Sequence, residues 1–230
     1  MVGSANNFPT EKHKTWYENN RPVGLGIMGV ADLFLRYKMV YGSKESIEFL
    51  EQIAEFMYVT AYNESVKLGQ ELGIPKDCTK LGRRNATLIS LAPTGSIAMI
   101  ADCSHVIEPI FSASFERVDE RGEKYIYTHP LAGEDYFVSA VGKNQPSWKE
   151  QIDLVAACQK WCDSGVSKTI NLPNSATVED VKQAYIYAWK NKLKGITVYR
   201  DGSRDIQVLN QLPTEDDLKD VNCLSGVCTL

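Results

Sequence analysis

The sequence predicts an α/β fold with parallel strands. Two observations predict it. Short apolar runs rich in β-formers recur, at Thr87 to Leu91 (TLISL), Val166 to Ile170 and Ile196 to Tyr199. Segments with helical spacing lie between them, marked off by Gly and Pro.

The elements follow in order. Residues 1–20 are polar and read as an irregular lead-in. From Pro22 to about Tyr41 the pattern is helix-like, and Pro22 suits a first turn because its missing N–H has no partner there. Gly42 and Ser43 punctuate. Ser43 is a good N-cap with Glu45 behind it. Ile47, Leu50, Ile53, Ala54, Met57 and Ala61 then keep helical spacing, so an amphipathic helix runs to about Leu72, where Gly73 and Pro75 stop it. Phe111 to Val118 and Lys124 to Thr128 flank a charged, glycine-containing turn and suit a hairpin. Trp148 to about Trp161 reads as helix. Ser175 and Thr177 are alternative N-caps for a helix to about Lys192, with Glu179 and Asp180 favourable at its start. Residues 213–230 carry four acidic residues and one basic, with no periodicity. The chain thus divides into a lead-in (1–20), a folded body (21–210) and a flexible C-terminal tail (211–230).

Composition narrows the function. The chain has 230 residues, 43% of them hydrophobic, enough for a real core. A net charge of −4 supplies no global basic field, so DNA or RNA binding is not expected. A local pocket for one phosphorylated small molecule stays compatible. No apolar run approaches the ~18 residues that span a bilayer, and the N-terminus lacks a hydrophobic signal core, so a cytoplasmic protein without membrane contact is expected. The six cysteines do not form a secreted disulfide framework.

Several motifs carry chemistry. Gly24 to Gly29 (GLGIMG) matches the dinucleotide string, but Asn19, Asn20, Arg21 and Pro22 precede it where a strand is needed. Its glycines read as aids to close helix packing. Ala92, Pro93, Thr94, Gly95 and Ser96 link a buried strand to a helix-like segment. Their N–H groups and hydroxyls suit an anion site at a helix start. They suit an ordinary strand-to-helix turn equally, and the residues alone leave both open. Asp102, Cys103, His105 and Glu108 fit no common zinc spacing and read as packing at a pocket rim. Cys158 and Cys162, one helical turn apart, read as buried small residues. Cys223 and Cys228 lie in the polar tail with Ser225 and Gly226 between them, and suit a dithiol that cycles between reduced and oxidised forms, with a terminal zinc clip the weaker alternative because only two ligands are present.

Together these stretches resemble one family. RPVGLGIMG (21–29), LAPTGS (91–96) with Asp102 and IEPI (107–110), SKTINLP (167–173), GITVYRDGS (195–203) and the tail CLSGVC (223–228) resemble, in order, the C-terminal part of ribonucleotide reductase large subunits. The resemblance implies the C-terminal half of a ten-stranded α/β barrel. It implies that Ala92 to Ser96 is the substrate phosphate loop, and that Cys223 and Cys228 are the terminal redox pair. It also implies that the loop carrying the radical cysteine and the active-site reducing pair belong to an upstream part, so no catalytic residue falls in this chain. Cys78, Cys103, Cys158 and Cys162 sit in no matching context. The chain is therefore expected to be inactive alone and to need an N-terminal fragment of the same reductase. A ribonucleotide substrate and a thioredoxin- or glutaredoxin-like reductant are the other implied partners. No metal site is implied.

Enzymes of this family with a separate radical-generating subunit pair two adjacent tyrosines where this chain reads Thr197, Val198, Tyr199 and Arg200. With one partner missing, the sequence is more similar to the adenosylcobalamin-dependent class, and adenosylcobalamin is the implied cofactor. A metal-dependent reductase subunit and a non-catalytic half-barrel assembly module are the alternatives.

Overall fold

A computed structural model describes residues 7–118, 124–129, 131–142, 144–203 and 209–211. Its helices are α1 (Glu11–Asn20), α2 (Val30–Arg36), α3 (Lys44–Leu72), α4 (Gly95–Ile100), α5 (Trp148–Gln159) and α6 (Val178–Lys190), with a 3-10 turn at Lys76–Leu81. Its strands are β1 (Ser114–Val118), β2 (Lys124–Thr128), β3 (Thr169–Leu172), β4 (Thr197–Arg200) and β5 (Leu209–Gln211).

Parallel pairing organises the body. Leu25 bridges to Ile89, Leu91 bridges to Val166, and β3 pairs with β4 from Thr169↔Thr197 to Leu172↔Arg200. The expected run TLISL is thus bonded on both sides. Val23 and Leu25 donate to the carbonyls of Thr87 and Leu88, and Ser167 donates to Leu91. The expected strand at Val166 to Ile170 lies further along, because its first half bonds to Leu91 and its second half begins β3. The hairpin forms with Ser114 opposite Thr128, and β5 joins β1 on the other side.

Two expectations are corrected. The lead-in is not irregular throughout, because α1 spans Glu11–Asn20. The Thr10 hydroxyl accepts the His13 N–H at its start, and Arg21, at φ 43°, closes its end. None of its residues is buried, so no apolar period marked it. Nor is Pro22 to Tyr41 one helical stretch. Its first part is extended chain that bridges to Ile89 through Leu25, and only Val30–Arg36 is helical. The glycines explain this. A Cβ on Gly24 would meet the Ser90 Cβ at 2.9 Å, and one on Gly26 would meet the Ser90 carbonyl oxygen at 2.7 Å. The alternation at 24 and 26 lets two strands approach, a period of two rather than 3.6. Gly29 then takes φ 81° to start α2.

The other helices form where their signals lie. Ser43 caps α3 through the Ser46 N–H at 3.2 Å, and Gly73 ends it at φ 84°. Ser147 and Glu150 form a capping box on α5. One core joins Phe34, Leu50, Leu88, Ile107, Ile152 and Ile170, each at most 2% exposed. Each such side chain contributes roughly 1.5–3 kcal/mol by leaving water. Arg83 locks this core from one side. It is 4% exposed and donates to Asp163 at 3.0 Å, to the Tyr58 hydroxyl and to two carbonyls. The other Asp163 oxygen accepts the Leu88 N–H at 2.7 Å, so this pair fixes where the central strand begins.

Candidate functional site: the carboxyl edge of the parallel strands

Parallel pairing brings the carboxyl ends of these strands to one edge, where open α/β sheets hold ligands. Three helices start just past them. α2 follows Leu25, α4 follows Leu91 and α6 follows β3. Two of the three starts carry a carboxylate. Asp32 lies in the first turn of α2 and accepts the Ser104 N–H at 2.6 Å. At α6, Thr177 accepts the Asp180 N–H at 3.2 Å and Asp180 accepts the Thr177 N–H at 2.7 Å. Hydrogen bonds from the Thr177 hydroxyl and the Thr177 N–H hold the Asp180 carboxyl below its usual range.

The start of α4 differs. It has no side-chain cap and no acidic residue in its first turn. Its first helical bond runs from the Ala98 N–H to the Thr94 carbonyl at 2.9 Å. The N–H groups of Gly95, Ser96 and Ile97 lie ahead of that bond and have no partner within the helix. Ala92, Pro93, Gly95 and Ser96 are exposed and Thr94 is half-buried. A Cβ on Gly95 would meet nothing within 4 Å. The five predicted loop residues thus form a run of backbone donors and hydroxyls with open space before Gly95, suited to an anion.

The loop has a backing segment. Thr94 sits at φ 54°, a costly backbone for a β-branched residue. Its hydroxyl oxygen accepts the Val106 N–H at 2.8 Å, and Val106 is itself at φ 35°. Two more bonds hold this segment. Ser104 accepts the Gly29 N–H through its carbonyl at 2.8 Å, and the Ile107 carbonyl accepts the Tyr41 hydroxyl. Burial, with Glu108 and Cys158 nearby, pushes the Tyr41 hydroxyl well above its usual value, so it stays a neutral donor.

Glu108 ends the segment. One carboxylate oxygen accepts Lys168 Nζ at 2.6 Å and the other accepts the Thr169 N–H at 2.6 Å. The Lys168 side chain is wholly buried. It also donates to Gln151 Oε1 at 3.1 Å and to the Thr169 carbonyl. Burial lowers the Lys168 pKa, and the Glu108 charge opposes that shift. Sequence reasoning missed Lys168, Gln151 and Tyr41 as members of the site. The one available signal was a lysine inside an apolar strand run, Val166 to Ile170.

The remaining predicted residues separate. Asp102, Cys103, His105 and Glu108 do not converge. Glu108 turns to Lys168, whereas Cys103 packs near Gly29, where an added Cβ would meet its own Cβ at 3.4 Å. Asp102 and His105 are exposed. Cys158 and Cys162 are buried as expected. Burial pushes the Cys158 thiol up to about 12, and Cys162 donates to the Ile89 carbonyl at 3.3 Å. Neither is a thiolate at neutral pH. Cys223 and Cys228 lie outside the described residues.

Comparison with known proteins bears on the family and the fold. A family model described as the ribonucleotide reductase barrel domain matches residues 1–80 and 73–199. A vitamin B12-dependent ribonucleoside-diphosphate reductase of Thermoplasma acidophilum is 35% identical over 90% of this chain and 32% of its own length. The protein of the same description from Mycobacterium tuberculosis is 33% identical over 83% of this chain and 32% of its own. A ribonucleoside-diphosphate reductase subunit alpha of Helicobacter pylori is 26% identical over 89% of this chain. The chain spans about a third of the length of these relatives. Among solved structures, the class Id ribonucleotide reductase alpha subunit of Actinobacillus ureae matches with a TM-score of 0.74 and 20% identity, over 87% of this chain and 43% of that one. That match carries the fold. The chain belongs to the ribonucleotide reductase barrel-domain family.

Proposed function

We propose that this chain is the part of a ribonucleotide reductase that holds the substrate's phosphates and delivers reducing equivalents. The observation that carries the reading is the bare start of α4. Among the three helices that begin at the carboxyl edge, it alone has neither a capping side chain nor a carboxylate. In this reading Thr94, Gly95 and Ser96 bind the phosphates of a ribonucleotide, with Ala92 and Pro93 shaping the turn. The reaction replaces the 2′-hydroxyl by hydrogen and releases water, while a dithiol becomes a disulfide. An N-terminal fragment of the same reductase supplies the radical cysteine and the active-site reducing pair.

The cofactor in this reading is adenosylcobalamin, which supplies the radical when bound. Two of the relatives named above are described as vitamin B12-dependent. This chain's own residues bear on the choice at β4, where Tyr199 lies between Val198 and Arg200 and has no second tyrosine beside it. No residue here is assigned a contact with the cofactor.

Cys223 and Cys228 pass electrons from a thioredoxin-like protein to the disulfide that the active-site reducing pair of the N-terminal fragment forms. The segment from Leu209 to Cys223 extends at most ~3.3–3.6 Å per residue, roughly 50 Å, and a coil reaches less. The test uses the chain reconstituted with its N-terminal fragment. Cys223→Ser with Cys228→Ser abolishes thioredoxin-driven turnover and spares turnover driven by dithiothreitol, which enters the site itself. Equal loss of both, or loss of neither, removes the shuttle. Deoxyribonucleotide formation by this chain alone removes the need for the fragment.

A further inference from the structure

We propose that Lys168 and Glu108 are a positioning pair that holds the loop from Ala92 to Ser96 in its ligand-ready shape. The proposal rests on the phosphate-site reading of that loop. Neither side chain is assigned a contact with a ligand. The pair acts through the backbone, from Glu108 by way of Ile107 to Val106, whose N–H meets the Thr94 hydroxyl oxygen at 2.8 Å.

Stability alone is a poor account of Lys168. A methionine would fill the same space without desolvating a charge, and buried ion pairs are often neutral or costly against apolar replacements. What the ammonium supplies is direction. It reaches Glu108 on the backing segment, Gln151 on α5 and the Thr169 carbonyl on β3. Gln151, itself fully buried, accepts the Asn171 N–H at 2.9 Å and donates to the Asn171 carbonyl at 2.8 Å. The anchor therefore belongs to the rigid sheet and helix, and Glu108 is its far end.

The thing held is under strain. Thr94 and Val106 are both β-branched, both at positive φ, and bonded to each other. Such backbones persist only where surrounding contacts over-determine them. Val106 is 1% exposed, and one residue separates it from Glu108. With the tether cut, the segment keeps its bonds at Ser104 and Ile107 but loses its fixed far end, and the contact between the Val106 N–H and the Thr94 hydroxyl loosens. Gly95 and Ser96 follow directly.

The test compares amide hydrogen exchange, without ligand, in the full chain and in Lys168→Met. The double variant Lys168→Met/Glu108→Ala is the companion. It leaves no orphan charge and carries the test if the single variant does not fold. In both, the Val106 amide should exchange at least tenfold faster while the amides of Leu50 and Ala54 on α3 keep their rates. A Val106 rate unchanged in the double variant, or a rise shared equally by Leu50 and Ala54, overturns the proposal and leaves the pair a packing feature. Titration with inorganic pyrophosphate separates this from the parent reading. Wild-type shifts at Gly95 and Ser96 that weaken at least fivefold in the variants support both. No wild-type shift, with the Val106 response intact, removes the phosphate site and keeps the tether. Equal affinity in wild type and variants overturns the positioning role and keeps the site.

Discussion

Two helices begin at the same edge of the parallel strands, and they begin in opposite ways. At α6, Thr177 and Asp180 satisfy each other's N–H groups, and the carboxylate sits against the positive end of the helix dipole. At α4, the N-cap residue Thr94 spends its hydroxyl oxygen on the distant Val106 N–H, and the first turn holds no acidic residue of its own. The first start is capped within the chain. The second leaves the N–H groups of Gly95, Ser96 and Ile97 without a partner in the helix. That difference, rather than the presence of a helix end as such, marks the candidate site.

Substitutions break or sharpen the contrast, and the largest effect falls at Gly95. Its Cβ position is open, so Gly95→Val folds normally and fills the space before the bare donors. Losing hydrogen bonds to a charged group costs about 1.5–3 kcal/mol, so substrate affinity in the reconstituted enzyme falls roughly 10- to 100-fold. An unchanged KM with an unchanged melting curve removes the loop from the site.

The next effect is smaller and more pointed. Ile97 occupies the position in α4 that Asp180 occupies in α6, three residues past the N-cap, and it is 55% exposed. Ile97→Asp gives α4 the internal carboxylate that α6 has. Phosphate affinity drops about tenfold, while the helix gains a few tenths of a kcal/mol from its dipole. Stronger binding in this variant contradicts the comparison.

The smallest effect is the control at α6. Thr177→Ala removes a cap worth about 1 kcal/mol, which lowers Tm by roughly 2–4 °C in a chain of this size. Phosphate affinity does not move. If it falls as far as in Gly95→Val, the two helix starts share one site.

Much of this contrast was legible in the sequence. Glu179 and Asp180 behind Ser175 and Thr177 marked α6, and the structure chose Thr177. The loop at Ala92 to Ser96 stood out as a short polar break after a buried strand. The extended segment at Val23 to Leu25 reads as helix in the sequence, because two alternating glycines are too short a signal to stand out from the apolar run around them. α1 was missed because it buries nothing. The joining of Lys168 to Glu108 and Gln151 was out of reach for another reason. The three lie 17 to 60 residues apart in the chain, and a buried ion pair leaves no periodic trace until the elements are packed together.

The most direct test is a titration of the isotopically labelled chain with a ribonucleoside diphosphate, following backbone amides at both helix starts. Gly95, Ser96 and Ile97 should shift saturably, and Val178, Glu179 and Asp180 should stay in place. Shifts at α6 with none at α4 would contradict the account.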